Sequence, residues 1–165
     1  LEPRKNLPVL LAAHRRLRET VPDTPPLVLV GPPGWGPALQ LDAARDAVVL
    51  TGYLDDPELA RLTGAAACLV LPSRYEGFGI PPLEALACGI PVVVSDLPVL
   101  REVLGAHAHY VPVGDVDALA DALAVTISRG TDATAAAARR EHARQFTWER
   151  CAEATMRAYM VAACR

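Results

Sequence analysis

Cys68-Leu69-Val70-Leu71 runs into Pro72-Ser73-Arg74-Tyr75-Glu76-Gly77-Phe78-Gly79-Ile80-Pro81, then Pro82-Leu83-Glu84-Ala85-Leu86-Ala87-Cys88-Gly89, then Ile90-Pro91-Val92-Val93-Val94-Ser95. The outer pieces, 68–71 and 92–95, are short unbroken apolar runs, the pattern of strands buried on both faces. Between them, residues 82–88 have helical composition, with prolines where a first turn tolerates them and Gly89 placed to stop the helix. Strand, helix, strand in this order is a βαβ unit, and its strands are parallel.

The same alternation extends in both directions. Towards the N-terminus, Leu27-Val28-Leu29-Val30 ends in Gly31-Pro32-Pro33-Gly34 and predicts another strand buried on both faces, followed by a short helix over 37–45 and a strand over 48–50. A helix begins at Asp56, the expected cap, with Pro57 and Glu58 in its first turn, and runs to about residue 64. Ahead of all these, Leu7, Leu10, Leu11, His14 and Leu17 fall on one helical face behind Asn6, the expected N-cap. Towards the C-terminus come a helix over 98–104, an edge strand over 108–111 and a helix over 116–129 behind Asp115. Two further helices follow over 133–145 and 148–163, the second capped by Thr147. The fold class is α/β: a Rossmann-like doubly wound parallel sheet with helices on both faces and a helical C-terminus.

The bulk composition narrows the function. At 165 residues the chain suits one domain, and 52% hydrophobic with 21% charged residues is the composition of a packed core. A formal net charge of −3 without a basic run offers no field for a nucleic-acid backbone or an anionic membrane. No apolar run reaches membrane-spanning length and the N-terminus does not read as a signal peptide. Cys68, Cys88, Cys151 and Cys164 have no metal-ligand spacing and read as small buried hydrophobes in a reducing, cytoplasmic protein.

In an open α/β sheet, ligands sit at the carboxyl ends of the strands, where loops lead into helix N-termini. The loop from Ser73 to Glu84 is the richest of these. Gly77 and Gly79 permit close backbone approach, Pro81 and Pro82 set the start of the helix, and Glu76 and Glu84 can accept hydrogen bonds from vicinal hydroxyls. Either glutamate alone is as simply read as a solvated acid near a helix N-terminus. Taken together, the segment suits an anion or a polyol.

The run from Ser73 to Glu84, continued through Ala85-Leu86-Ala87-Cys88-Gly89-Ile90-Pro91-Val92-Val93, resembles the Glu-x7-Glu region of the retaining glycosyltransferase family four. Leu1-Glu2-Pro3-Arg4-Lys5-Asn6-Leu7, Thr51-Gly52-Tyr53-Leu54-Asp55-Asp56 and Phe146-Thr147-Trp148-Glu149-Arg150 resemble other segments of that family, so the likeness covers essentially the whole chain. It implies one half of a GT-B fold, a single nucleotide-sugar-binding domain over 1–165. The implied activity is transfer of a hexosyl group with retention at the anomeric carbon. By the same likeness, Glu84 holds the donor ribose and Glu76 lies beside the transferred sugar. Gly77, Phe78, Gly79 and Ile80 offer backbone N–H groups to sugar and diphosphate, and Lys5 neutralises the leaving diphosphate. Tyr53 and Leu54 match the place where the base stacks, although an aromatic after a strand is more often core packing.

The family needs neither cofactor nor metal, and the one Asp-x-Asp, Asp115-Val116-Asp117, reads as a helix cap. Glu2-Pro3-Arg4-Lys5-Asn6 and Gly34-Trp35 are most similar to mannosyltransferase-like members, so the expected donor is GDP-mannose or a UDP-sugar. By this likeness the chain begins after the domain's first strand and lacks the acceptor domain. Alone it is therefore expected to bind donor weakly and transfer nothing, with apolar residues of the final helix exposed. The full-length protein is expected to be cytoplasmic, with peripheral attachment to a membrane left open.

Three alternatives remain: a GT-B sugar-nucleotide epimerase, a receiver-like signalling module and a dinucleotide-binding module. The first wants an acid and base set that is not found as a group, the second an aspartate after the strand 27–30, and the third a GxGxxG after a strand. His14, His107, His109 and His142 are scattered and carry no expected role. Arg101 and Glu102 read as a solvated helix face.

Overall fold

Val92–Ser95 is buried along its whole length, and its alternating side chains divide the molecule into two cores. In the computed structural model, which describes residues 2–32, 41, 47–130 and 132–163, this strand is β4. The other strands are β1 (Leu27–Val30), β2 (Val48–Gly52), β3 (Leu69–Leu71) and β5 (Ala108–Val111). The helices among the described residues are α1 (Leu7–Thr20), α2 (Asp56–Ala65), α3 (Ile80–Cys88), α4 (Pro98–Leu104), α5 (Val116–Arg129), α6 (Ala133–Ala143) and α7 (Trp148–Ala163). The helix expected over 37–45 and the Gly34-Trp35 pair fall outside the described residues, as does Cys164.

Successive side chains of a strand point to opposite faces. Val93 therefore enters a cluster with Leu10 and Leu17 of α1, Leu29 of β1, and Leu119 and Leu123 of α5. Val92 and Val94 enter the other, with Leu71 of β3, Leu86 of α3, and Leu100 and Leu104 of α4. Helices thus cover both faces of β4, as doubly wound architecture requires.

Among the described residues every strand pair is parallel, but the pairing is divided between two sheets, β1-β2 and β3-β4-β5. The expectation of one continuous sheet is corrected to this extent. The division also corrects the reading of 27–30 as buried on both faces: only Leu29 is buried, and in β2 Leu50 is 55% exposed. Both sheets still contribute to one core, because Leu29 of β1 and Val93 of β4 share the cluster lined by α1 and α5.

Local signals placed most element ends within one or two residues. The cap of α2 is Asp55, not Asp56. Its carboxylate accepts from the Glu58 N–H while the Glu58 side chain accepts from the Asp55 N–H, a reciprocal capping box. Asp115 caps α5 and Thr147 caps α7, both as expected. α6 ends at Ala143, two residues early. The cysteines are less buried than expected: Cys68 and Cys88 are half-buried and Cys151 is exposed, with burial pushing the Cys68 thiol up to about 11.

α7 lies open along its described length, with Trp148 at 81% exposure and Met156, Tyr159 and Met160 also exposed. No helix among the described residues is long and apolar enough to cross a membrane.

Candidate functional site

The site is assembled at the carboxyl end of β3, where a hook formed by residues 3–6 meets the loop leading to α3. Pro3–Lys5 form a 3-10 turn, and Asn6 follows in the left-handed region at φ 55°. Asparagine tolerates that conformation better than most residues. Asn6 occupies the N-cap position of α1 but does not cap it. Its Oδ1 instead accepts from Arg74 Nε at 3.2 Å, and the Arg74 backbone N–H donates to the Arg4 carbonyl at 2.8 Å. Asn6 is 2% exposed, and among the described residues its Nδ2 has no partner.

This stitching brings Lys5 and Glu76 together across 71 residues of sequence. Lys5 Nζ donates to Glu76 Oε1 at 2.8 Å, Ser73 Oγ donates to the same oxygen at 2.8 Å, and Arg4 donates to Oε2 at 3.0 Å. Arg4 also bridges to Glu2 at 2.6 Å. Glu76 is only 8% exposed. Burial alone would raise its carboxyl, but the hydrogen bonds from Lys5 and Ser73, with the charges of Lys5 and Arg4, outweigh it and hold the carboxyl below its ordinary value.

Beyond Glu76 the loop presents main chain. Gly79 sits at φ 99°, and a Cβ there would stand 2.5 Å from Cδ2 of the fully buried Leu100, so both conformation and space require glycine. It occupies the N-cap of α3 and offers no side-chain cap. Among the described residues, the N–H groups of Gly77, Phe78, Gly79 and Ile80 are not taken by hydrogen bonds, and they lie at the positive end of a helix.

Glu84 stands exposed on α3, its carboxyl raised by partial desolvation and then by the Asp56 carboxylate. Tyr53 follows β2 at 78% exposure, so it is not core packing, and Leu54 beside it is half-buried. The side chains of Phe78 and Ile80 are exposed.

Sequence reasoning missed Arg4, Ser73, Asn6 and Arg74. Arg4, adjacent to Lys5, and Ser73, three residues from Glu76, carried a local signal; Asn6 and Arg74 act through a contact between distant segments. Arg101 is not merely a solvated face residue. It donates to Asp96 at 2.7 Å and lies 4.5 Å from the centroid of the Tyr110 ring. His14 and His142 bond the backbone carbonyls of Pro25 and Val103. No group of three or more potential metal ligands occurs among the described residues.

The chain is similar in sequence and fold to known proteins. A family model described as glycosyl transferases group 1 matches residues 1–129. The O-antigen chain mannosyltransferase B of Escherichia coli is 36% identical over 96% of this chain and 43% of its own length. Sucrose-phosphate synthase from Thermosynechococcus elongatus superposes with a TM-score of 0.76 at 29% identity, covering 99% of this chain and 44% of that one. A pneumococcal O-GlcNAc transferase, solved in complex with UDP and GlcNAc, shares the fold with a TM-score of 0.74 at 19% identity, over 95% of this chain and 33% of its own. The chain thus spans less than half the length of each of these relatives.

Proposed function

The chain belongs to the group 1 glycosyl transferases, and we propose that it forms the donor-binding half of an enzyme that transfers a hexosyl group from a nucleoside diphosphate sugar with retention at the anomeric carbon. The observation that carries this reading is the convergence of Lys5, Arg4 and Glu76 beside the glycine-bounded start of α3. Cations, unengaged N–H groups and a helix N-terminus at one place suit a diphosphate.

In this reading Lys5, with Arg4, neutralises the charge that develops on the diphosphate as it leaves. The amides of Gly77, Phe78, Gly79 and Ile80 donate to sugar and phosphate oxygens. Glu84 accepts hydrogen bonds from the ribose hydroxyls, and the exposed Tyr53, with Leu54, meets the base. Glu76 serves twice: it lies beside the transferred sugar, and its bond to Lys5 fixes where that cation sits before donor arrives. Such preorganised charge needs no rearrangement during transfer.

GDP-mannose is the proposed donor, supported by the likeness to a mannosyltransferase. UDP-sugars are the runner-up, supported by the UDP complex of a protein with this fold. The family match favours neither an epimerase nor a receiver.

Calorimetric titration of the chain with GDP, UDP and ADP, beside a Glu84→Gln variant, tests the proposal. One nucleotide should bind selectively, and the variant should bind it more weakly by about 1.5–3 kcal/mol, the worth of a charged hydrogen bond. Equal binding by the variant would remove Glu84 from the donor site; no nucleotide binding by the folded chain would reject donor binding by this chain.

A further inference from the structure

α6 and the chain that leaves it approach both ends of α3. At the C-terminal end of α3, Arg140 donates to the Cys88 carbonyl at 3.2 Å and Arg139 to the Gly89 carbonyl at 3.0 Å. These arginines occupy two of the acceptors that a helix leaves open at its end. Gly89, at φ 82°, allows the approach: a Cβ there would lie 3.2 Å from the Cβ of Ala136 on α6. At the other end, Phe146, just past α6, meets Phe78 edge-on, with ring centroids 6.1 Å apart and planes at 76°. Ala136, Arg139 and Arg140 of α6 therefore meet the end of α3, and the chain leaving α6 meets the loop before α3.

Phe146 is itself braced. Its ring lies 5.5 Å from that of His142, which bonds the Val103 carbonyl at 2.8 Å and stands 4.5 Å from the His107 ring. Phe78, by contrast, lies between Gly77 and Gly79, which bring no side chains of their own to hold the loop. Glu76 anchors one side of this short loop and α3 the other. Between them, the ring of Phe78 against Phe146 ties the loop to the helical tail.

We propose that α6 and the residues that follow it act as a splint which sets the loop 77–80 for a donor diphosphate, with Phe146 as its positioning residue. This rests on the donor-site reading above. It gives a role in donor binding to a segment beyond residue 129, where the family match ends.

The test uses the full chain with Phe146→Ala and Phe146→Leu. Hydrogen exchange of the 77–80 amides is read without nucleotide, and calorimetric affinity is read for GDP and UDP against GMP and UMP. An edge-on aromatic pair is worth enough that Phe146→Ala should speed exchange at 77–80 and weaken diphosphate binding by about three- to tenfold each. The α5 amides and monophosphate affinity should not change, and Phe146→Leu should recover part of both effects. Unchanged exchange, or faster exchange with full diphosphate affinity, overturns the positioning role. If the alanine variant also loosens α5, the leucine variant decides on the same two readings. If the unaltered chain binds none of the nucleotides, the donor reading fails, and the exchange data alone decide whether Phe146 holds the loop.

Discussion

Glu76 shows how one residue can be legible in type and illegible in surroundings. Its place in a glycine- and proline-bounded loop marked it as a candidate site residue, but the contacts that govern its charge come from Ser73 and from Arg4 and Lys5. Nothing in local spacing indicates that residues 4–6 fold onto residues 73–76. Because the folded carboxyl lies below its ordinary value, the stability it contributes is complete above that value, about 4.3, and is lost as pH falls through the lower folded one. Glu76→Gln should therefore lower the unfolding free energy by about 1–3 kcal/mol near neutrality, the modest end for a buried pair because Lys5 and Arg4 stay partly exposed. Urea midpoints for parent and variant should converge as pH is taken below about 4.

At the scale of the element, the chain's own punctuation was the best guide. Asp55 with Glu58, Asp115 and Thr147 start their helices by hydrogen bonds that reach no farther than three residues, so local spacing announced the last two and missed the first by one residue. Asp55→Ala should cost about 1 kcal/mol, read as a lowered midpoint of thermal or urea unfolding. Gly89 has both a local and a distant cause. Its left-handed turn stops α3, which the sequence predicted, and its missing side chain admits α6, which it did not. Gly89→Ala is expected to cost about 1–2 kcal/mol from backbone strain alone, with a further loss where the new Cβ crowds first the Arg140 guanidinium and then Ala136. Differential scanning calorimetry of the variant measures the total. Asn6 marks the limit of reading by punctuation: it stands at a cap position, yet its side-chain oxygen accepts from Arg74.

Across the whole molecule, β4 joins the two cores, with Val93 facing one and Val92 and Val94 the other. Leu119→Ala in the first core and Leu86→Ala in the second should each cost about 2–5 kcal/mol. Because the cores share a strand, each variant should still unfold in one step, with calorimetric and van't Hoff enthalpies in agreement; separate transitions would show that the cores are independent. From sequence alone came the α/β class, the order of the described elements, parallel pairing, the helical tail and the loop proposed as the site, because apolar runs, helical spacing and caps act over a few residues. The tertiary structure alone decided that the strands pair as two sheets, that Tyr53 faces outward, that Arg4 and Lys5 meet Glu76, and that Phe146 reaches Phe78. Those outcomes depend on which distant surfaces come into contact once the apolar faces are buried, and hydrophobic burial, being non-directional, leaves that choice to the packing of the whole chain.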